Sequence, residues 1–155
     1  FSKNMPEEQK DSIRLHCVMP FEEYRVGDAT LTPMPADHSP GSLIHLFTRN
    51  GKTLLYGHDS GFFPEETWNQ LSKHRLDLAL LDCTNGNLDM ERFHLGVDGV
   101  IKTKRRLQDM GCLNPGCRLF ATHFSHNGGL LHHELGARLR EEGIEVAFDG
   151  MQVSV

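Results

Sequence analysis

The residues best suited to chemistry are three histidines and one aspartate, each in a turn or at the end of an apolar run: His38, Asp59, His94 and His123. Imidazole nitrogens and carboxylate oxygens are donors that zinc, manganese and iron accept in proteins, and a carboxylate can bridge two cations. A pair of such ions would lower the pKa of a shared water and clamp both oxygens of a displacement at phosphorus or carbonyl carbon. Each histidine taken alone is more simply a hydrogen-bonded loop residue, but the four positions together favour a metal site.

The elements that must position these residues are short strands that end in turns. An Asn-Gly turn at residues 50–51 lies between two apolar runs, residues 43–48 and 52–57, and this arrangement is a strong signal for a β-hairpin. An antiparallel hairpin returns its second strand to the start of its first. The loop that contains His38 and the turn that contains Asp59 are therefore expected at the same edge of the sheet.

The rest of the chain alternates strand and helix patterns. Further strands are predicted at residues 15–19, 29–34, 76–81, 119–122 and 144–148. Helices are predicted to begin at Pro64 and to cover residues 97–110 and 130–139, where apolar residues recur at helical spacing. Residues 1–14 have the pattern of a helix or a loop without a start signal. Hairpins followed by a β-α-β-α-β order predict a layered α/β fold.

Bulk composition sets limits on partners and compartment. The chain has 155 residues and a formal net charge of −5, which argues against affinity of the whole surface for nucleic acid or anionic lipid. Apolar runs fall short of the roughly 18 residues that span a bilayer, and no signal-peptide pattern is present. The four cysteines form no CxxC pair and are expected to be reduced, partly buried thiols. These features favour a cytoplasmic protein without membrane contact.

Six stretches of the chain, taken in order, resemble the carboxyl-terminal part of the metallo-β-lactamase-fold phosphodiesterases. Within that group the likeness is strongest to the phosphoribosyl 1,2-cyclic phosphate phosphodiesterases of the carbon–phosphorus lyase pathway, and ribonuclease Z is a more distant relative. The stretches are residues 35–39, 54–61, 80–84, the segment around His94, residues 121–126 and residues 148–151. The likeness covers nearly all of the chain from about Val26 onward. It implies an αββα sandwich, of which this chain is largely the carboxyl-terminal half.

The resemblance also implies roles for individual residues. His38 would be a ligand of one metal, Asp59 the carboxylate that bridges both, and His123 a ligand of the other. His94 would protonate the leaving oxygen, which suits the neutral-range pKa of an ordinary imidazole. Three residues behind the ligands are implied to orient them or the substrate: Asp37, His126 and Asp149. The cofactors implied for the complete enzyme are two divalent ions, zinc or manganese.

One departure from the resembled family is large. The HxHxDH stretch, which supplies most of the remaining ligands, is absent from these 155 residues, and its place would be before Phe1. We therefore expect residues 1–155 to be a single domain, the carboxyl-terminal part of a longer enzyme. On its own this part is expected to bind metal weakly or not at all and to catalyse little.

The function that this resemblance implies is that of a metal-dependent phosphodiesterase whose partner is a small cyclic phosphate ester. A ribonuclease Z-like nuclease is an alternative, although the acidic charge balance makes nucleic acid an unfavourable partner. Another is a non-catalytic half-domain that pairs with a second chain, for example as a homodimer. Missing strands would leave an apolar sheet face uncovered and so promote association.

Overall fold

A seven-stranded sheet forms the centre of the molecule in the computed structural model, which describes residues 15–155. The strands are β1 Tyr24–Val26, β2 Ala29–Pro35, β3 Leu43–Arg49, β4 Lys52–Gly57, β5 Leu76–Asp82, β6 Leu113–Thr122 and β7 Glu145–Val146. Their order across the sheet follows the chain. Strands β1 to β4 are antiparallel neighbours, and β4 to β7 run parallel. The layered α/β prediction is confirmed.

The hairpin between β3 and β4 forms as predicted. Leu46 pairs with Leu55 across the two strands. Asn50 and Gly51 have positive φ angles of 50° and 74°, the conformation that two-residue hairpin turns require and that Asn and Gly adopt most readily. The hairpin brings the beginning of β3 beside the end of β4, so the His38 turn and Asp59 lie at one edge.

Within residues 15–155, three α-helices pack against the sheet: α1 Glu65–Leu71, α2 Val97–Asp109 and α3 His132–Arg140. Helix α1 lies against β2, α2 against β6 and α3, and α3 against β7. The fully buried Trp68 and Leu71 of α1 and Val100 and Leu107 of α2 face the core. Each such side chain contributes roughly 1.5–3 kcal/mol by leaving water. In residues 15–155 the helices are too short or too polar to cross a membrane.

The strand predictions for residues 15–19 and 144–148 were wrong, the first entirely and the second in extent. Residues 15–19 form no strand, and Leu15 and Met19 are 67% and 60% exposed, so this apolar run has no sheet face to bury it. The strand predicted at 144–148 is reduced to β7, and Phe148 beyond it is 60% exposed. Among the described residues no strand pairs with residues 15–19, and β7 at the other side of the sheet pairs with β6 through Glu145 and Val146 alone. The prediction for residues 1–14 lies outside the described residues.

The sheet is apolar on both faces. Side chains that alternate with the core residues pair across the second face, as Phe47 does with Leu54 and Tyr56 with Leu80. Tyr56 is 40% exposed, whereas Phe120, two strands away on β6, is buried. Strands with two apolar faces are typical of sheets that lie between other layers.

The four cysteines differ in their surroundings, and this difference predicts their reactivity. Burial, reinforced by the nearby Asp82, raises the pKa of Cys83 to about 12, and burial raises that of Cys117 to about 11. Cys112 is also buried, whereas Cys17 is exposed. At pH 8 a thiol with a pKa of 12 is ionised in only ~1 molecule in 10⁴, and the thiolate is the nucleophile.

We therefore expect iodoacetamide to alkylate Cys17 first in the native protein, and Cys83 and Cys112 only after unfolding. Peptide mass spectrometry after timed labelling, with and without denaturant, measures this order. Labelling of Cys83 at the rate of Cys17 in the native protein would contradict the buried position of Cys83.

Candidate metal centre

The candidate site lies at the carboxyl ends of three parallel strands. Asp59 follows β4, Asp82 is the last residue of β5 and His123 follows β6 directly. Because parallel strands end at the same edge of a sheet, these three residues converge there. Two loops complete the site: residues 36–42 contribute His38, and residues 83–96 contribute His94.

Asp82 contacts three other residues of this site: Asp59, His94 and His123. Its side chain is fully buried, and its Oδ2 lies 2.9 Å from His94 Nδ1 and 3.1 Å from His123 Nδ1. The same oxygen accepts a hydrogen bond from the backbone N–H of Asp59 at 3.0 Å. Oδ1 accepts one from the backbone N–H of Thr84 at 2.9 Å. A buried carboxylate needs such donors to offset its lost hydration, and here the donors belong to the other site residues.

The Asp82 contacts determine which nitrogen each imidazole presents to the open side of the site. Both Nδ1 atoms face Asp82, and His123 Nδ1 also lies 2.8 Å from the Thr84 hydroxyl, which donates to the His123 carbonyl. A carboxylate and a hydroxyl oxygen in these positions are satisfied by Nδ1–H groups. The Nε2 lone pairs of His94 and His123 are then free to act as ligands or proton acceptors, the usual second role of a carboxylate-bound histidine.

The free Nε2 atoms have spacings that fit a divalent cation. His123 Nε2 lies 3.5 Å from Asp59 Oδ1, and His94 Nε2 lies 3.4 Å from His38 Nε2. Two donors bound at about 2.1 Å to a tetrahedral ion are roughly 3.4 Å apart. Donor atoms of Asp59, Asp82, His94 and His123 all lie within 4.8 Å of one another. The donor set therefore fits a metal ion.

Geometry and donor chemistry separate Asp82 from the other members of this group. Both of its oxygens already accept protein hydrogen bonds, whereas Asp59 is 59% exposed and directs Oδ1 towards His123. Asp82 is thus better suited to orient ligands than to be one. Sequence patterns alone do not distinguish Asp82 from the other acidic residues that follow apolar runs. The available signal was a carboxylate at the end of a nearly continuous apolar strand, where only a paired charge is tolerated.

Backbone conformation is also unusual at the site. Asp59 and His123 have φ angles of 48° and 61°, and Phe93, next to His94, has one of 65°. Left-handed conformations cost non-glycine residues about 1–2 kcal/mol each, and they concentrate where a function fixes a side chain.

The three residues predicted to lie behind the ligands occupy different environments. Asp37 joins the His38 turn to the Asp59 turn, because its carbonyl accepts from Gly61 N at 2.9 Å. Its carboxylate lies 3.4 Å from Nε of Arg92. His126 is exposed in the 3₁₀ turn His126–Gly128, and it is outside the group of converging donors. Asp149 is exposed and lines a cleft that also includes His123.

Glycines allow the loops of the site to meet. A Cβ on Gly61 would lie 2.2 Å from the carbonyl oxygen of Glu91 and 2.7 Å from the Asp37 carboxylate. A Cβ on Gly86 would lie 2.4 Å from the carbonyl oxygen of Gly128. Both loops that carry site histidines therefore approach their neighbours more closely than any other residue type permits.

His58 is a further histidine at this edge that sequence reasoning missed. Its ring packs 4.2 Å from that of Tyr56 and 5.5 Å from that of His123, between ring centroids. Its Nε2 is buried without a hydrogen-bond partner among the described residues. Burial, and secondarily the neighbouring His123, lowers the pKa of His58 below 6.5. A neutral ring at this position packs against His123 without adding charge.

Solved structures share this fold at low sequence identity. The metallo-beta-lactamase fold protein YhfI from Bacillus subtilis matches with a TM-score of 0.68 and 18% identity, over 94% of this chain and 58% of its own. The isothiocyanate hydrolase from Delia radicum gut bacteria matches with a TM-score of 0.66 and 16% identity, over 90% of this chain and 59% of its own. A diphosphatase from the PhnP family matches with a TM-score of 0.60 and 20% identity, over 88% of this chain and 47% of its own. The chain thus spans about half to three fifths of these proteins.

Sequence comparison defines the family. No curated protein matches the chain. Residues 1–140 match the profile described as the beta-lactamase superfamily domain. This match covers most of the chain and agrees with the metallo-β-lactamase-like α/β architecture, so the superfamily and the fold implied by the sequence motifs are confirmed. The chain belongs to the beta-lactamase superfamily domain family.

Proposed function

We propose that this chain is part of a metal-dependent phosphodiesterase that hydrolyses a small cyclic phosphate ester. The observation that carries the proposal is the pair of imidazoles whose Nδ1 atoms face the buried Asp82 and whose Nε2 atoms face Asp59 and His38. This arrangement supplies oriented nitrogen and oxygen donors together with a histidine able to move a proton.

The metal ligands proposed on this chain are His38, Asp59 and His123. Divalent zinc or manganese bound there would supply activation of a water and neutralisation of phosphate charge. Three side chains are fewer than two ions require, since structural and catalytic ions each take three or four protein ligands. We propose that ligands from outside the described residues complete the site.

His94 is the proposed proton donor to the leaving oxygen: in the form protonated on both ring nitrogens, it would keep Nδ1–H on Asp82 and give its Nε2 proton to that oxygen. Its Nδ1 contacts Asp82 at 2.9 Å, which fixes the ring orientation, and its side chain is 25% exposed, so a substrate can reach Nε2. The loop is further held by Asn85 Nδ2, which donates to the His94 carbonyl at 3.0 Å. An alkoxide is a poor leaving group unless it is protonated, so a positioned acid of this kind accelerates the step by roughly 10²- to 10⁴-fold.

Two likenesses favour a phosphorus centre over a carbonyl centre: the resemblance of the sequence stretches to metallo-β-lactamase-fold phosphodiesterases, and the structural likeness to the PhnP-family diphosphatase. The likeness to the isothiocyanate hydrolase favours a different electrophile. The two alternatives separate in a direct assay, because a phosphodiesterase hydrolyses cyclic diesters and an isothiocyanate hydrolase does not.

The test compares His94→Ala with wild type in the complete, metal-loaded protein. We expect kcat for methyl riboside 2′,3′-cyclic phosphate, which has an alkoxide leaving group, to fall roughly 10²- to 10⁴-fold. With bis(4-nitrophenyl) phosphate the fall should be far smaller, because nitrophenolate leaves without protonation. The exposed His133 of α3 offers a matched control, and His133→Ala should change neither rate.

Elemental analysis of the same samples separates acid catalysis from ligation. Equal losses on both diesters together with lost metal would make His94 a ligand and not the acid. An unchanged rate with the cyclic diester would exclude His94 from the reaction. Failure of wild type to hydrolyse either diester would overturn the phosphodiesterase proposal, and cleavage of a tRNA precursor alone would favour a ribonuclease Z-like nuclease.

A further inference from the structure

A second concave surface includes His123 but not His94. It is an open cleft of about 610 Å³ at the carboxyl ends of β6 and β7, and Phe124, His132, Phe148 and Asp149 form its walls. Because His123 belongs both to the candidate metal centre and to this cleft, a molecule held at the metal centre can extend into the cleft.

The walls of the cleft expose aromatic surface. Phe124 is 39% exposed and Phe148 is 60% exposed, whereas the aromatic side chains Phe63, Trp68 and Phe120 are at least 97% buried. The His132 ring meets the Phe148 ring edge to face, with centroids 6.4 Å apart and an angle of 77° between planes. Exposed aromatic rings in a concavity are the usual platform for flat ligands.

The charge of the cleft limits the kind of ligand it takes. Among residues 15–155 no lysine or arginine lines it, and Asp149 supplies the only carboxylate. Another cleft, beside Phe62, is instead lined by Lys102, Arg105 and Arg106. Each of these cations is already paired with a glutamate. The aromatic cleft is therefore unsuited to a second phosphate and suited to an uncharged group that donates hydrogen bonds.

We infer that the Phe124–Phe148 cleft binds a flat aromatic ring carried by the alcohol part of the phosphate ester substrate. A ring N–H or O–H donor would be directed to Asp149. This inference rests on the proposed function for the identity of the reacting group, but the ring-binding property belongs to the cleft itself. Phe124 and Phe148 determine specificity in this scheme and take no part in bond breaking. Stacking on such side chains changes affinity by roughly 5- to 100-fold per ring.

Binding is measured first, without any hydrolysis. Calorimetric titration of the complete protein with adenosine and with methyl riboside compares two ribosides that differ only at C1′. Adenosine has the aromatic adenine ring there, and methyl riboside has a methoxy group. We expect adenosine to bind at least ~10-fold more tightly. Phe148→Leu and Phe124→Leu keep apolar bulk but remove the ring, and each should lower that ratio. Phe21, 38% exposed and on the β1 side of the sheet, gives the control Phe21→Leu, which should leave the ratio unchanged.

Hydrolysis is measured second. The ratio of kcat/KM for adenosine 2′,3′-cyclic phosphate to that for methyl riboside 2′,3′-cyclic phosphate should exceed ~10 and fall towards 1 in the two leucine variants. Equal binding of adenosine and methyl riboside would overturn the inference, even with both cyclic phosphates hydrolysed. Tight, Phe148-dependent adenosine binding without hydrolysis of either compound would instead support the cleft and count against the phosphodiesterase proposal.

Discussion

Replacing Asp82 by Asn is expected to weaken divalent metal binding about 10- to 100-fold and to reduce turnover at least as much. The carboxylate oxygen that faces both imidazoles would be replaced by an amide, which cannot accept from both Nδ1–H groups and the Asp59 N–H. Where the amide NH₂ faces an imidazole, the ring proton moves to Nε2, and the lone pair that faces Asp59 or His38 is lost. The loss therefore arises from ligand orientation, although Asp82 need not touch the metal.

Chelator competition with zinc and manganese measures the affinity, and ¹⁵N spectra of the histidines report the tautomers. Asp77, at the other end of the same strand, is the matched control: its carboxylate accepts from Thr53 N at 3.0 Å and pairs with Lys52 at 3.1 Å. Asp77→Asn should cost about 1–3 kcal/mol of stability without changing metal affinity. Equal metal affinity in Asp82→Asn and wild type would refute the orienting role of Asp82.

Gly61→Ala is expected to destabilise the protein by about 1–3 kcal/mol, towards the upper end of that range. The new Cβ would lie 2.2 Å from the Glu91 carbonyl oxygen and 2.8 Å from Phe93 N. These are backbone atoms, so relief requires the His94 loop to move as a unit. That movement would also break the hydrogen bond from Phe62 N to the Glu91 carbonyl, now 2.7 Å long.

The control is Gly136→Ala, in the middle of α3, where a Cβ would meet no atom of the described part of the chain within 4 Å. Alanine in a helix is favoured over glycine by about 1 kcal/mol, so this variant should be as stable as wild type or more so. Urea unfolding of both variants measures the difference. A Gly61→Ala protein with wild-type stability and an unmoved His94 loop would show that the close contact is not needed.

Local patterns were sufficient to predict much of the framework. The Asn-Gly turn between β3 and β4 and the apolar runs of β5 and the end of β6 depend on neighbouring residues, and they formed as expected. The convergence of His38 and Asp59 at one edge also followed, because a hairpin leaves no other geometry. Helices α1 to α3 formed where apolar residues recur at helical spacing, because that periodicity also depends on neighbouring residues.

Other features required contacts between residues far apart in the chain. Asp82 is one of several acidic residues that follow apolar runs, and only its position between His94 and His123 shows that it orients both. The need for glycine at residue 61 is likewise invisible until residues 91 and 93 lie against it. The run at residues 15–19 forms no strand, and no strand of residues 15–155 pairs with it.

The sequence by itself therefore determined the superfamily, the order of strands and helices, and the edge of the sheet where donor side chains collect. Turn chemistry and hydrophobic periodicity act over a few residues, and both can be read directly. The tertiary structure alone decided which nitrogen of each imidazole faces the open site, which glycines permit loop contact, and that Phe124 and Phe148 share a cleft with His123. These properties depend on the three-dimensional meeting of separate strand ends, which no local pattern encodes.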